Sequence, residues 1–190
     1  MGYVLSHVGQ VSVGPEMEFY FYLVGTPWTD GVAESVRSNF VRLSTELGPS
    51  SAIVIPTDRV ETEHWGQQIS EAYFEQHEVD KMTRSVFERI IPLLFIADAS
   101  PDNVRQDTLR VLIPLEDVQK RYGNIDGLFN DLVRLAKNRD IAIFNRFQET
   151  ADWSETFHDL VILKPQVFGM GVNINAAIKR LRAFWKSDSE

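Results

Sequence analysis

The 190-residue chain contains no cysteine. That absence excludes a disulfide framework, a thiolate zinc site, an iron–sulfur cluster, a cysteine nucleophile and any redox dithiol. Long apolar runs are missing as well. The longest, such as Ile90 to Ala97, extend for eight residues or so and are interrupted by Pro92, whereas a membrane-spanning helix needs about 20. The opening Met1-Gly2-Tyr3-Val4-Leu5-Ser6-His7 carries no basic stretch and no extended apolar core, so no signal peptide is expected and a cytoplasmic location is. Positive charge is in short supply: 19 Lys and Arg face 27 Asp and Glu, for a net charge of −8. Whole-molecule electrostatics therefore disfavour a nucleic-acid partner. The four histidines, His7, His64, His77 and His158, show no i, i+3 or i+4 pairing, so no local metal motif exists and neither a metal nor a cofactor is expected. No Gly-x-Ser-x-Gly elbow supports a serine hydrolase.

What is present suits an ordinary globular protein: 44% hydrophobic and 24% charged residues exclude global disorder. A chain of this size buries roughly 70% of its unfolded surface and needs no staple. One α/β domain over 1–190 is expected. Charge is distributed unevenly. Residues 1–100 hold 6 basic and 14 acidic side chains, and residues 101–190 hold 13 of each, which implies an acidic face contributed by the front half. There is no internal repeat and no low-complexity segment.

Periodicity divides the chain into elements. Tyr3–Val13 alternates weakly around Gly9 and predicts one or two short strands; Glu18–Val24 is an aromatic strand. Asp30–Leu47 reads as one helix, capped by Asp30, striped by Val32, Val36, Phe40 and Leu43, and stopped by Gly48-Pro49. Ala52–Ile55 is a short strand, Thr62 to about Gln76 a helix, and Asp80–Ile90 a second helix. Leu93–Ala97 and Thr108–Ile113 are strands, Asp126–Asn138 a helix with Leu128, Leu132 and Leu135 on one face, Ile141–Phe147 and Leu160–Leu163 further strands, and Ile174–Trp185 the last helix. Only about ten residues separate Leu93–Ala97 from Thr108–Ile113, too few for the dozen or so that a helical crossover takes, so this pair is expected to be antiparallel. The whole predicts a mixed sheet with helices on both faces.

The order strand, helix, strand, helical stretch, strand, strand, helix over residues 18–139 resembles the thioredoxin-like fold, whose second half is a hairpin followed by a helix. Trp28 followed by Thr29-Asp30-Gly31-Val32 resembles that family's tryptophan and Cys-x-x-Cys, with Thr29 and Val32 where the cysteines would lie. Ile91-Pro92 stands where the family keeps a cis-proline before the hairpin. Without the cysteines thiol–disulfide exchange is abolished. The resemblance implies peptide binding along the backbone beside Trp28, Thr29 and Pro92, with residues 1–17 and 140–190 as flanking additions. A flavodoxin-like or TIR-like doubly wound sheet is the alternative.

Two further places hold chemistry-bearing residues. Gly169-Met170-Gly171-Val172-Asn173 precedes the last helix, where Gly169 and Gly171 permit close backbone approach and the helix start offers free N–H groups to an anion; the same residues also make an ordinary turn with Asn173 as cap. Glu61, Glu63, His64 and Glu71 crowd one predicted helix around Trp65. Glu71, with His64, is the candidate acid or base, against the plainer reading that acidic residues suit a helix start. Asp58, Asp98 and Asp102 lie near strand ends, where α/β sites form and where turn-forming carboxylates are common. On the last helix Ile174, Ile178, Leu181 and Trp185 form an apolar stripe expected to pack on Phe19, Phe21 and Leu23. The leading expectation is a non-catalytic module that binds a protein partner; the alternative is a small enzyme or sensor binding a nucleotide or other anion near 169–173 or at Glu71.

Overall fold

The computed structural model describes residues 1–11, 17–25, 31–57, 60–74, 93–105, 108–148 and 161–162. Within them a six-stranded sheet forms from β1 (Gly2–Leu5), β2 (Phe19–Val24), β3 (Ser51–Pro56), β4 (Leu93–Ala97), β5 (Arg110–Pro114) and β6 (Val161–Ile162), in the spatial order β1-β3-β2-β4-β5-β6. β3 runs parallel to both β1 and β2, and the β2–β4, β4–β5 and β5–β6 pairs are antiparallel. The short link between β4 and β5 thus sets their direction, as its length requires. β2 and β4 occupy the middle of the sheet, which suits their unbroken apolar sequences: both faces of a central strand are covered.

Side-chain alternation sorts the core into two layers. Phe19, Phe21 and Leu23 of β2 share one face with Ile53, Ile96 and Val111. That face is covered by α1 (Gly31–Ser38), α2 (Phe40–Leu47), α4 (Leu115–Tyr122), α5 (Ile125–Asn138) and α6 (Ala142–Gln148). Tyr20, Tyr22 and Val24 share the other with Val54, Phe95 and Leu112, under α3 (Thr62–Tyr73) and the single turns of 3₁₀ helix at Val8–Gln10 and Pro101–Asn103. The architecture is α/β, a mixed sheet with helices on both faces.

Three local expectations are corrected. The helix read as continuous from Asp30 to Leu47 is two helices that break at Asn39. There Ser38 Oγ donates to the Glu34 carbonyl (2.9 Å) and Asn39 Nδ2 to the Ser35 carbonyl (2.9 Å), so polar side chains take acceptors at the helix end. The second half stops as expected at Gly48, whose φ of 78° suits only glycine well. Residues 8–10, inside the weak alternation read as strand, form a 3₁₀ turn capped by His7. Ile141–Phe147, read as a strand, is helix α6: Arg139 ends α5 in the left-handed conformation, Asp140 Oδ1 accepts from the Ala142 N–H (2.9 Å), and Ile143 and Phe144 bury on the helical layer. The apolar run Ile141–Phe144 is too short for its periodicity to separate helix from strand. In addition, α4 occupies residues 115–122, to which no element was assigned, although Leu115, Val118 and Tyr122 carry helical spacing. Residues 80–90 and 174–185, both expected to be helical, lie outside the described residues, as do Asp30 and the Ile91–Pro92 bond.

Gly127 in α5 invites substitution on helix propensity alone, since alanine is favoured by about 1 kcal/mol in a helix interior. A Cβ there would stand 2.6 Å from Tyr122 Cδ1. The Tyr122 ring cannot easily yield, because its hydroxyl donates to Asp131 Oδ2 (2.9 Å) and the Arg146 guanidinium lies 4.8 Å from its centroid. Gly127→Ala is therefore expected to lower stability by about 1–2 kcal/mol in urea denaturation instead of raising it.

Candidate functional site

Helix α3 is the platform of the site. Trp65, Ile69 and Tyr73, at i, i+4 and i+8, point into the sheet and are fully buried. Glu63, His64, Gln67 and Glu71 are exposed. The sequence set Glu63, His64 and Glu71 around Trp65; in the fold the indole turns into the core and these polar side chains take the solvent side. Glu71 Oε1 accepts from Gln67 Nε2 at 2.8 Å.

Gln68 lies at the margin between these two faces and is only 6% exposed. Its Oε1 accepts from the Val8 backbone N–H at 2.9 Å, tying the 3₁₀ turn Val8–Gln10 to α3 across 60 residues of chain. That turn is braced in its own right. His7 Nδ1 accepts from the Gly9 N–H (3.0 Å), and Gln10 Oε1 accepts from the His7 N–H (3.2 Å). With Nδ1 an acceptor, the neutral His7 ring carries its proton on Nε2.

A third wall comes from the β4–β5 connection. Asp98 Oδ1 accepts from the Leu109 N–H (2.7 Å), which closes the base of the loop. Ser100 precedes the 3₁₀ turn Pro101–Asn103. Arg110, completely buried, then fastens the loop to α3: Nε donates to the Tyr73 carbonyl (2.7 Å), and the two terminal nitrogens donate to the Thr108 (3.0 Å) and Arg105 (3.1 Å) carbonyls. A cation at the last turn of α3 also complements the helix dipole.

These three pieces enclose an open cleft of about 390 Å³, lined among others by His7, Val8, Gln68, Glu71, Asp102 and Val104. His7, Glu71 and Asp102 are each exposed, and they come from three segments far apart in sequence. Of the candidates read from the sequence, the fold brings Glu71 together with His7 and Asp102 here, while Asp98 serves as a turn brace. Gln68 was not singled out, and its only sequence signal was a polar residue at the border of the Trp65–Ile69–Tyr73 stripe. Among the described residues no group of three or more His, Asp or Glu could hold a metal ion. Trp28, Thr29, Pro92, Gly169, Gly171 and Asn173 lie outside the described residues.

Behind the cleft, the Tyr73 hydroxyl donates to the Ala99 carbonyl (2.8 Å) and receives the Tyr22 hydroxyl (2.7 Å). Burial pushes both phenols well above the ordinary tyrosine range, so they stay protonated and act as fixed donors. The pair locks α3 to β2 and to the start of the β4–β5 loop.

No helix among the described residues is long and apolar enough to cross a membrane. Comparison of the chain with protein-family models, with curated proteins and with solved structures finds no match.

Proposed function

We propose that the protein is a non-catalytic interaction module, built on a redox-inactive thioredoxin-like scaffold, that binds a protein partner in the cytoplasm. The observation that carries this reading is the strand arrangement. A βαβ unit (β2, α1–α2, β3) lies beside an antiparallel β4–β5 hairpin that is followed by helices, with β2 central. Three antiparallel pairings favour this scaffold over a wholly parallel doubly wound sheet. With no cysteine in the chain, such a scaffold retains binding and not redox exchange. The polar open cleft against α3 suits contact with another macromolecule better than enclosure of a small substrate.

Two measurements test the reading. A partner captured from host extract by the immobilised protein is expected to bind again as a purified component in isothermal titration calorimetry. A thermal-shift panel of nucleotides is expected to leave the melting temperature within about 1 °C, because a ligand at 100 times its Kd stabilises by about 2.7 kcal/mol and would move it by several degrees. A multi-degree rise with one nucleotide would replace the module with the nucleotide- or anion-binding alternative.

A further inference from the structure

Among the described residues the outer edge of β1 is open: the strand ends the sheet order and pairs only with β3. The Met1 and Leu5 carbonyls accept from the Ile53 and Thr57 N–H groups, each at 2.9 Å. A parallel ladder uses every second residue of a strand toward one neighbour. Tyr3 therefore also faces β3, and the N–H and C=O groups of Gly2 and Val4 point to the open side. Four backbone groups are left to an added strand. Apart from its length of four residues, β1 carries none of the devices that blunt an edge: no charge, no proline and, in its register with β3, no bulge.

The exposed apolar surface falls in the same place. Among the described residues the exposed large hydrophobic side chains are Met1, Val4 and Val41. Helix α2 lies against β1, and a Cβ on Gly2 would stand 2.6 Å from Ser44 Cβ and 2.8 Å from Phe40 Cζ. Val41 is one turn before Ser44 and so belongs to the β1 flank of α2. Arg42 turns to the opposite flank, where it donates to Asp126 of α5 at 2.7 Å. Apolar residues scattered singly over a surface need no explanation, but here they gather at one unpaired edge.

Geometry and charge select a second copy of this chain as the occupant. Antiparallel pairing about a two-fold axis at Tyr3 sets Gly2 opposite Val4 of the second copy, and four hydrogen bonds then use every open group on both strands. Opposed residues share a face of the sheet. Each Val4 side chain thus stands over the glycine of the other copy, the one position in β1 without a side chain, beside that copy's α2. The two Tyr3 residues meet on the axis as a non-hydrogen-bonded aromatic pair. Like charges opposed across a strand pair would be destabilising, and β1 brings none to the seam although the chain carries −8. Four strand residues and one flank of an eight-residue helix are fewer than the roughly 20 residues a side of a standard interface, so the association is weak and concentration-dependent.

We propose that β1 is a self-association edge, at which two copies of the chain join their sheets antiparallel through Gly2 and Val4 and cover Met1, Val4 and Val41. The proposal is independent of the module reading above.

Sedimentation velocity of the full chain is expected to show monomer at about 1 µM and a reversible dimer by about 1 mM, favoured by added salt, which screens the repulsion between two acidic chains. Amide exchange over the same range locates the contact. The Gly2 and Val4 N–H groups are expected to gain several-fold protection as concentration rises, while those of Tyr3 and Leu5, which face β3, do not change. Val4→Lys, checked for folding by its own NMR spectrum, is expected to weaken the dimer at least tenfold, and Glu63→Gln on the solvent side of α3 to leave it unchanged. Because the chain has no cysteine, single thiols report the register. Tyr3→Cys is expected to crosslink on oxidation, its two Cα atoms lying about 4.5 Å apart across the axis, and Val4→Cys not to, its pair lying beyond the roughly 7 Å that a disulfide spans. A monomer at every concentration would overturn the proposal and leave the edge to a strand of a different protein. So would a dimer that Val4→Lys forms as readily as wild type, one in which Gly2 and Val4 gain no protection, or crosslinking through Val4→Cys in place of Tyr3→Cys.

Discussion

Trp65→Ala is expected to cost about 3–5 kcal/mol, seen as a lower urea midpoint with an unchanged slope. The indole is 1% exposed and fills the layer between α3 and the Tyr20–Tyr22–Val24 face of β2. Its Nε1 also donates to the Leu23 carbonyl at 3.0 Å. The bond has a particular place in the sheet. The β2–β3 ladder ends at Tyr22 opposite Val54, and Leu23 is one residue beyond it. A side chain on α3 therefore donates to the strand just past the point where the neighbouring backbone pairing stops. Trp65→Phe separates the two contributions: it keeps most of the apolar volume and loses the donor, and is expected to cost about 1–3 kcal/mol. For a domain of this size the alanine variant should lower the melting temperature by about 10 °C. A loss below 1 kcal/mol would mean that α3 is held by its other contacts. Because the same helix lines the cleft with Gln68 and Glu71, loosening it should disturb the cleft before the sheet itself is affected.

The layers were legible in the sequence because periodicity is a local property. Phe19 to Val24 and Leu93 to Ala97 show themselves as strands buried on both faces, and the spacing between β4 and β5 fixes their direction. Leu128, Leu132 and Leu135 mark α5 in the same way. Reading failed where a few residues decide between states. At Ser38-Asn39 side chains share helical carbonyls with the backbone, the Ser35 carbonyl accepting from both the Asn39 N–H (3.2 Å) and its Nδ2 (2.9 Å), and the helix breaks there although the hydrophobic stripe continues. At Asp140 a single carboxylate starts a helix on an apolar run that looked like a strand. The cleft was legible only in pieces. Glu71 stood out as an acid on a helix and Asp102 as a carboxylate near a strand end, whereas His7 was marked only by its lack of metal-ligand spacing. Their convergence depends on the 3₁₀ turn at Val8 reaching across to Gln68, a contact over 60 residues that no local pattern encodes. Gln68 escaped notice for a related reason: what distinguishes it is a half-satisfied amide, and satisfaction is a property of the folded neighbourhood.

Arg110→Met is expected to cost about 3–5 kcal/mol and to disturb the cleft more than the sheet. The substitution keeps apolar bulk close to that of the arginine stem, so packing contributes little. What is lost is the guanidinium, whose hydrogen bonds reach carbonyls of Tyr73, Thr108 and Arg105, and which lies 5.8 Å from the Phe74 ring centroid. Methionine cannot serve those carbonyls, and each one left without a donor costs about 1–3 kcal/mol where it is buried. Lysine is an informative second variant. It keeps the charge near the last turn of α3, but an ammonium on a flexible stem cannot reproduce a planar fork that spans a helix end and two loop positions. Arg110→Lys is therefore expected to recover less than half of the loss. Amide exchange should locate the damage: β2, β4 and the α5 layer stay protected, while residues 99–105 and the end of α3 exchange faster, because Arg110 joins these two segments to each other. Uniformly faster exchange across both layers would instead make Arg110 part of the global core. A local response would place it as the strut that holds two walls of the cleft, the end of α3 and the Pro101–Val104 segment, at a fixed separation.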